Sequence, residues 1–118
     1  MRRTLVLAVL ALVGCAATVN EIEATPPILT LRLKGSPPEA AQCVISSIDA
    51  LGWVPTMRNF GSHVQIVWTM RNNSPLATFD LAPVEQRFTI AQMRAKPNVL
   101  SDPEHVSSVW RERLQSCM

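Results

Sequence analysis

Residues 28–48, ILTLRLKGSPPEAAQCVISSI, decide the fold because they place an amphipathic strand directly before an amphipathic helix. Leu29, Leu31 and Leu33 alternate with threonine, arginine and lysine. This two-residue period is typical of a strand with one buried face. A first strand is therefore predicted here, and its leucines need a layer of apolar side chains to cover them.

The second half of the stretch predicts a helix. Ser36 precedes two prolines and lies three residues before Glu39, so these two side chains can satisfy backbone N–H groups at a helix start. The helix is predicted from about Pro37 to Leu51, and Gly52 ends it. Its apolar residues recur every three or four positions in one stripe, with Cys43 on the flank: Ala41, Val44, Ile45, Ile48 and Leu51.

The centre of the chain changes to two-residue alternation. Apolar residues occupy every second position of His63–Arg71, which predicts a strand, and a turn follows at residues 72–75, NNSP. The apolar residues of 77–81 share one side of the next strand. Short turns between such strands favour antiparallel pairing.

Prolines mark the weaker positions of this sheet. Pro83 is expected to end the preceding strand, before Phe88 and Ile90 begin another. A weaker pattern at Val54–Asn59 indicates an additional strand. Pro55 confines that strand to an edge of the sheet, because proline has no backbone N–H to donate.

The last predicted element is a helix that begins at residues 101–104, SDPE, where an N-cap residue is followed by proline and glutamate. The order of elements predicts an α+β fold for residues 28–118, which form one small domain. It is roughly β-α-β-β-β-α, a two-layer sandwich with a mainly antiparallel sheet and two helices on one face. The inward side of the last helix carries Val106, Val109, Trp110, Leu114 and Cys117.

The amino terminus has the pattern of an export signal. Two arginines precede the apolar run Leu5–Val13, which is too short for a membrane-spanning helix of about 20 residues. The run ends in Leu12, Val13, Gly14 and Cys15. These four residues resemble the lipobox of bacterial lipoproteins at every position. The layout of the remaining chain is similar to that of small proteobacterial periplasmic lipoproteins.

The resemblance implies that residues 1–14 are a signal peptide and that Cys15 becomes the acylated first residue of the mature protein. Acyl chains would hold the protein in a membrane, and Ala16, in place of an aspartate, favours the periplasmic face of the outer membrane. Residues 15–27 would be a flexible lipidated tether. An ordinary signal peptide cut near Ala16, or a buried N-terminal helix, is the alternative.

Export places Cys43 and Cys117 in an oxidising compartment, so a disulfide between them is expected. A reactive thiol is the alternative, although the sequence contains no C-x-x-C motif. Zinc would require His63 and His105 as further ligands, and their spacing does not favour a site. No metal or cofactor is predicted.

Charge excludes one class of partner. The whole chain has eleven Lys and Arg against nine Asp and Glu, and two of the arginines belong to the signal. The mature chain is therefore balanced and offers no basic field for nucleic acid and no polybasic patch for anionic lipid. Membrane attachment is expected to come from acyl chains alone.

The sequence predicts a non-enzymatic envelope protein that binds a protein partner through an open sheet face or an edge strand. Its alternatives are a small-ligand or peptidoglycan binder, for which Trp53 is the candidate exposed aromatic, and a hydrolase that would use His63 or His105. No grouping of nucleophile, base and orienting group is visible in the sequence.

Overall fold

The computed structural model describes residues 19–48, 54–69, 74–96 and 102–118. Five strands form one antiparallel sheet in the order β1-β5-β4-β3-β2. Residues 19–23 are helical and are called α1. The other elements are β1 (Leu29–Lys34), α2 (Pro37–Ile48), β2 (Val54–Asn59), β3 (Val64–Thr69), β4 (Pro75–Glu85), β5 (Phe88–Ala95), α3 (Pro103–Arg113) and a 3₁₀ turn (Gln115–Cys117).

The first strand and helix follow the sequence prediction. Side chains of β1 alternate between buried and exposed, and α2 begins at Pro37 as predicted. The Ser36 hydroxyl donates to the Glu39 carboxylate at 3.0 Å, so the described bond joins two side chains where bonds to backbone N–H groups were expected. Gly35 makes the turn between the two elements at φ +93°, where a side chain would be strained. The predicted helix end at Leu51 and Gly52 lies outside the described residues.

One face of the sheet is covered by α2 and α3. Phe79 of β4 lies at its centre, with its ring 6.4 Å from Trp68 and 5.8 Å from Trp110 in edge-to-face arrangements. Such pairs add about 1 kcal/mol each beyond the burial of their area. This covered face contains the apolar core, including every leucine of β1.

A disulfide joins α2 to the 3₁₀ turn after α3, because the helix predicted to carry Cys117 ends at Arg113. Asp102 caps α3 by accepting the His105 backbone N–H at 3.2 Å, which starts the helix where the sequence predicted. The chain then brings Cys117 to Cys43 of α2, 74 residues earlier, with the Cα atoms 5.9 Å apart. The predicted disulfide is therefore present, and Cys117 is buried.

The weaker strand predicted at Val54–Asn59 is confirmed as β2, with Pro55 on an edge as its missing N–H requires. Four strands therefore follow α2, one more than the outline β-α-β-β-β-α, and one further expectation needs correction. Pro83 does not interrupt its strand, since β4 continues to Glu85 and Pro83 pairs with Thr89 of β5. Beyond Leu81, β4 pairs with β5 alone, so a missing N–H breaks no second ladder.

The layering also differs from the two-layer expectation, because α1 packs on the other face of the sheet. Ile22 is fully buried but does not belong to the core cluster of the covered face. Its neighbour Glu23 accepts a hydrogen bond from Gln65, which alternates with the core residues of β3. Residues 19–25 of the expected tether therefore contact the sheet. The signal peptide, its lipobox and Cys15 lie outside the described residues, and the predicted domain boundaries stay predictions.

Candidate functional site

A polar groove opens on this second face, between α1 and the sheet. Its volume is about 750 Å³. The floor comes from β3, β4 and β5, one wall from α1, and the other wall from β2 and the turn that follows it. The lining residues are Val19, Asn20, Glu23, Arg58, Phe60, His63, Gln65, Asp80 and Arg94.

Gln65 and Arg94 hold the floor of the groove together. The Gln65 amide Nε2 donates to Glu23 Oε1 at 3.1 Å and to Asp80 Oδ1 at 3.0 Å. Arg94 donates to Asp80 Oδ2 at 2.9 Å and to the carbonyl oxygen of Thr25 at 3.0 Å. These bonds satisfy the largely buried polar groups of the floor and fasten the N-terminal segment to the sheet.

The rim of the groove is aromatic and cationic. Phe60 stacks on the imidazole of His63 at 4.8 Å, and the Arg58 guanidinium lies 5.1 Å from the Phe60 ring centre. Arg58 also donates to Gln65 Oε1 at 3.3 Å. Gly61, with φ +85°, makes the tight turn that brings Phe60 against His63.

Among the described residues, no nucleophile, base and orienting carboxylate are grouped in the groove in the way that acyl transfer uses them. The Nδ1 atom of His63 lies 3.3 Å from the Ser62 hydroxyl, but within the described residues no carboxylate accepts a hydrogen bond from this imidazole to orient it. His105 is exposed on α3, away from the groove. No cluster of three or more His, Cys, Asp and Glu that could hold a metal occurs in the part of the chain that is described.

The edge strand β2 is a second candidate site because it is exposed on both faces. Val54 and Met57 are 49% and 44% exposed, and no described strand pairs with the outer side of β2. The Phe60 N–H donates to the His63 carbonyl, and antiparallel pairing alternates bonded and non-bonded residue pairs. Pro55, Met57 and Asn59 therefore direct their backbone polar groups outward. Within the described residues, the N–H groups of Met57 and Asn59 on this outer side have no strand to pair with.

The opposite edge strand, β1, differs in its side chains. Its apolar residues are buried under the helices, and its exposed positions carry Thr30, Arg32 and Lys34. Charged side chains, lysine above all, discourage pairing with another strand. The exposed side chains of β1 are thus polar or charged, whereas those of β2 include the apolar Val54 and Met57 beside Arg58.

No protein family and no curated protein matches the chain. None of the helices in residues 19–48, 54–69, 74–96 and 102–118 is long and apolar enough to cross a membrane.

The structure describes some of the candidate site residues that the sequence analysis named. Cys43 and Cys117 are bonded, and His63 lies at the groove rim, whereas Cys15 and Trp53 lie outside the described residues. Sequence reasoning missed the bonded groups of the groove floor. Their signal was present in the alternation, because each is a polar residue between two core positions of its strand: Gln65, Asp80 and Arg94.

Proposed function

We propose that this chain is a lipid-anchored, non-enzymatic envelope protein on the periplasmic face of the outer membrane, where it binds another envelope protein through β2. The partner would supply an extended segment that adds a strand to the open edge. Main-chain hydrogen bonds would give affinity, and the exposed side chains of β2 would give specificity.

The location is supported by two independent features. The run Leu12–Cys15 resembles a lipobox at all of its positions. The disulfide between Cys43 and Cys117 suits an oxidising compartment, because cytoplasmic thiols are kept reduced. Acyl chains on Cys15 would then provide the membrane attachment.

The exposure of β2 is the observation that carries the binding role. Five of its six residues are exposed and one is half-buried, which is unusual for a strand within a five-stranded sheet. The N-terminal segment covers part of the second face, whereas no described strand covers the edge at β2. An edge with outward N–H groups and exposed Val54 and Met57 matches an incoming strand.

Photocrosslinking in living cells tests this role. A photoreactive residue at Thr56 of β2 should crosslink an envelope protein that mass spectrometry identifies, whereas the same residue at Thr30 of β1 should not. The variant Met57→Pro removes one outward N–H and, like Pro55, spares the bonds to β3. It should abolish the crosslink.

Thr30→Pro is the matched control on the opposite edge. The Gly35 N–H donates to the Arg87 carbonyl, so alternation directs the Thr30 N–H outward as well. This variant should leave the Thr56 crosslink intact. Equal crosslinking from both edges, or a crosslink that survives Met57→Pro, would refute binding through β2.

Binding of a small ligand or a peptidoglycan fragment is a second candidate function, and the polar groove favours it. Arg58 and His63 offer donors at the rim, and Phe60 offers a face for a sugar ring. Titration with soluble muropeptides would produce saturable binding that Arg58→Ala weakens. Absence of saturable binding to the wild-type protein would exclude this candidate.

A further inference from the structure

We infer that the end of the sheet that carries its two tight turns rests on the membrane in which Cys15 is anchored. This turn end comprises residues 32–39, 58–64 and 83–89. The inference depends on the proposed acylation of Cys15 and adds an orientation to it. The turn end contacts lipid, and the opposite end of the sheet faces the periplasm.

The topology places two apolar side chains at this end. Strands β1, β2 and β4 end here and β3 and β5 begin here, because neighbouring strands are antiparallel. Phe60 follows the last residue of β2, and Val84 precedes the last residue of β4. They are 48% and 50% exposed. Exposed aromatic and aliphatic side chains at turns are favoured at a lipid boundary, where their apolar area leaves water.

The charge of the turn end suits lipid headgroups. Arg32 is paired with Glu85 at 3.0 Å, and Glu39 accepts a bond from Ser36. Cations nevertheless exceed carboxylates at this end of a mature chain that is balanced overall. Basic residues near a membrane surface are attracted to lipid phosphates and to anionic headgroups. The four cations are Arg32, Lys34, Arg58 and Arg87, all exposed, and the two carboxylates are Glu39 and Glu85.

The N-terminal segment enters the fold from the turn end. The Thr25 carbonyl is bonded to Arg94, which lies near the other end of β5. Val19, six residues earlier, lines the groove together with Phe60 of the β2–β3 turn. Traced back toward the N-terminus, the segment therefore crosses the sheet toward the turn end.

The distance to the acylated residue is short. Cys15 precedes Val19 by four residues. Four residues span at most about 14 Å even when fully extended. Because Val19 and Phe60 line the same groove, the acyl chains hold the turn end close to the bilayer, where lipid contact with Phe60 and Val84 is within reach.

A tryptophan probe at each end of β2 tests the orientation. Val54 is the matched control for Phe60, because it is 49% exposed and begins the strand that Phe60 follows. Six residues of strand separate them by about 20 Å. The full-length, acylated variants Phe60→Trp and Val54→Trp are inserted into phosphatidylcholine vesicles with brominated acyl chains, and their emission is compared with that of the wild-type protein.

The added emission of Trp in Phe60→Trp should shift to the blue and be mostly quenched by the brominated lipid. The added emission in Val54→Trp should keep its position and intensity. Quenching at both positions or at neither would overturn the proposed orientation. Flotation of the wild-type protein with the vesicles is measured in parallel. Failure to float contradicts acylation, whereas flotation without selective quenching contradicts only the orientation.

The wild-type chain offers a second readout without substitution. Its two lysines are Lys34 at the turn end and Lys96 directly after β5, at the opposite end. A membrane-impermeant amine reagent applied outside vesicles should modify Lys34 several-fold more slowly, relative to Lys96, than after the bilayer is dissolved in detergent. An unchanged ratio would overturn the inference.

Discussion

The two faces of the sheet are covered by different elements. The covered face carries two helices, a continuous apolar core and a disulfide, so many contacts must be lost together before it opens. Among the described residues, the N-terminal segment lies on the second face, held by the buried Ile22 and by a few charged hydrogen bonds. We therefore expect the covered face to set global stability, and the N-terminal segment to detach from the second face at a lower free-energy cost.

The largest expected effect is loss of the disulfide. A loop of 74 residues restricts the unfolded chain, and its release lowers the free energy of unfolding by about 4.5 kcal/mol on the chain-entropy estimate. Urea denaturation of Cys43→Ala/Cys117→Ala should show this loss. In reductant, the wild-type protein should have the same free energy of unfolding as the double variant. A wild-type unfolding curve that does not change on addition of reductant would contradict the prediction.

Two fully buried aliphatic residues compare the faces directly. Leu33→Ala on the covered face should lower the free energy of unfolding by about 3 kcal/mol. Ile22→Ala should cost about 1 to 2 kcal/mol, because the loss cannot exceed the docking free energy of the segment that undocks.

Hydrogen exchange shows whether Ile22→Ala opens only the N-terminal segment or the whole sheet. The Ala24 amide, which donates to the Asn20 carbonyl, should exchange faster in Ile22→Ala while the amides of β4 and β5 keep their protection. Equal acceleration across the whole sheet would show that both faces open as one unit.

Removal of the partly buried ion pair between Asp80 and Arg94 is expected to have the third-largest effect on the free energy of unfolding. Asp80 accepts bonds from both Arg94 and Gln65. Asp80→Asn should lower the free energy of unfolding by about 1.5 kcal/mol, because a charged acceptor is removed from partly buried donors. Thermal melts at neutral pH measure the change. A variant as stable as the wild-type protein would show that this network contributes nothing to docking of the segment.

The smallest effect is expected at the exposed pair. Arg32 and Glu85 are 50% and 60% exposed at their side chains, so water screens their 3.0 Å contact. A double-mutant cycle with Arg32→Ala and Glu85→Ala should give a coupling energy below about 1 kcal/mol. A larger coupling than that of the Asp80–Arg94 pair would reverse the ranking of the two sites.

Elements with a strong local period were predictable from the sequence. The leucines of β1 and the capped start of α3 follow from alternation and from N-cap chemistry, which act within a few residues. Pro55 correctly indicated an edge. The predicted strand break at Pro83 was wrong. Whether a strand tolerates a proline depends on how many neighbouring strands pair with it at that position, and the local sequence does not contain that information.

The groove could not be predicted for a related reason. Ile22 is the one large aliphatic residue after Val19 in a polar stretch, so no period marks it as buried. The bonds of its neighbours Glu23 and Thr25 join residues about 40 to 70 positions apart in sequence. The polar residues of β3, β4 and β5 indicated an outward face but not the segment that covers it.

The most direct test of the account is the intact mass of the full-length protein after expression and purification from bacterial membranes. We predict a chain that begins at Cys15, carries the added mass of acyl groups, and keeps Cys43 and Cys117 inaccessible to alkylation until reduction. A chain that retains Met1 and alkylates at all three cysteines without reductant would contradict export, anchoring and the role proposed for β2.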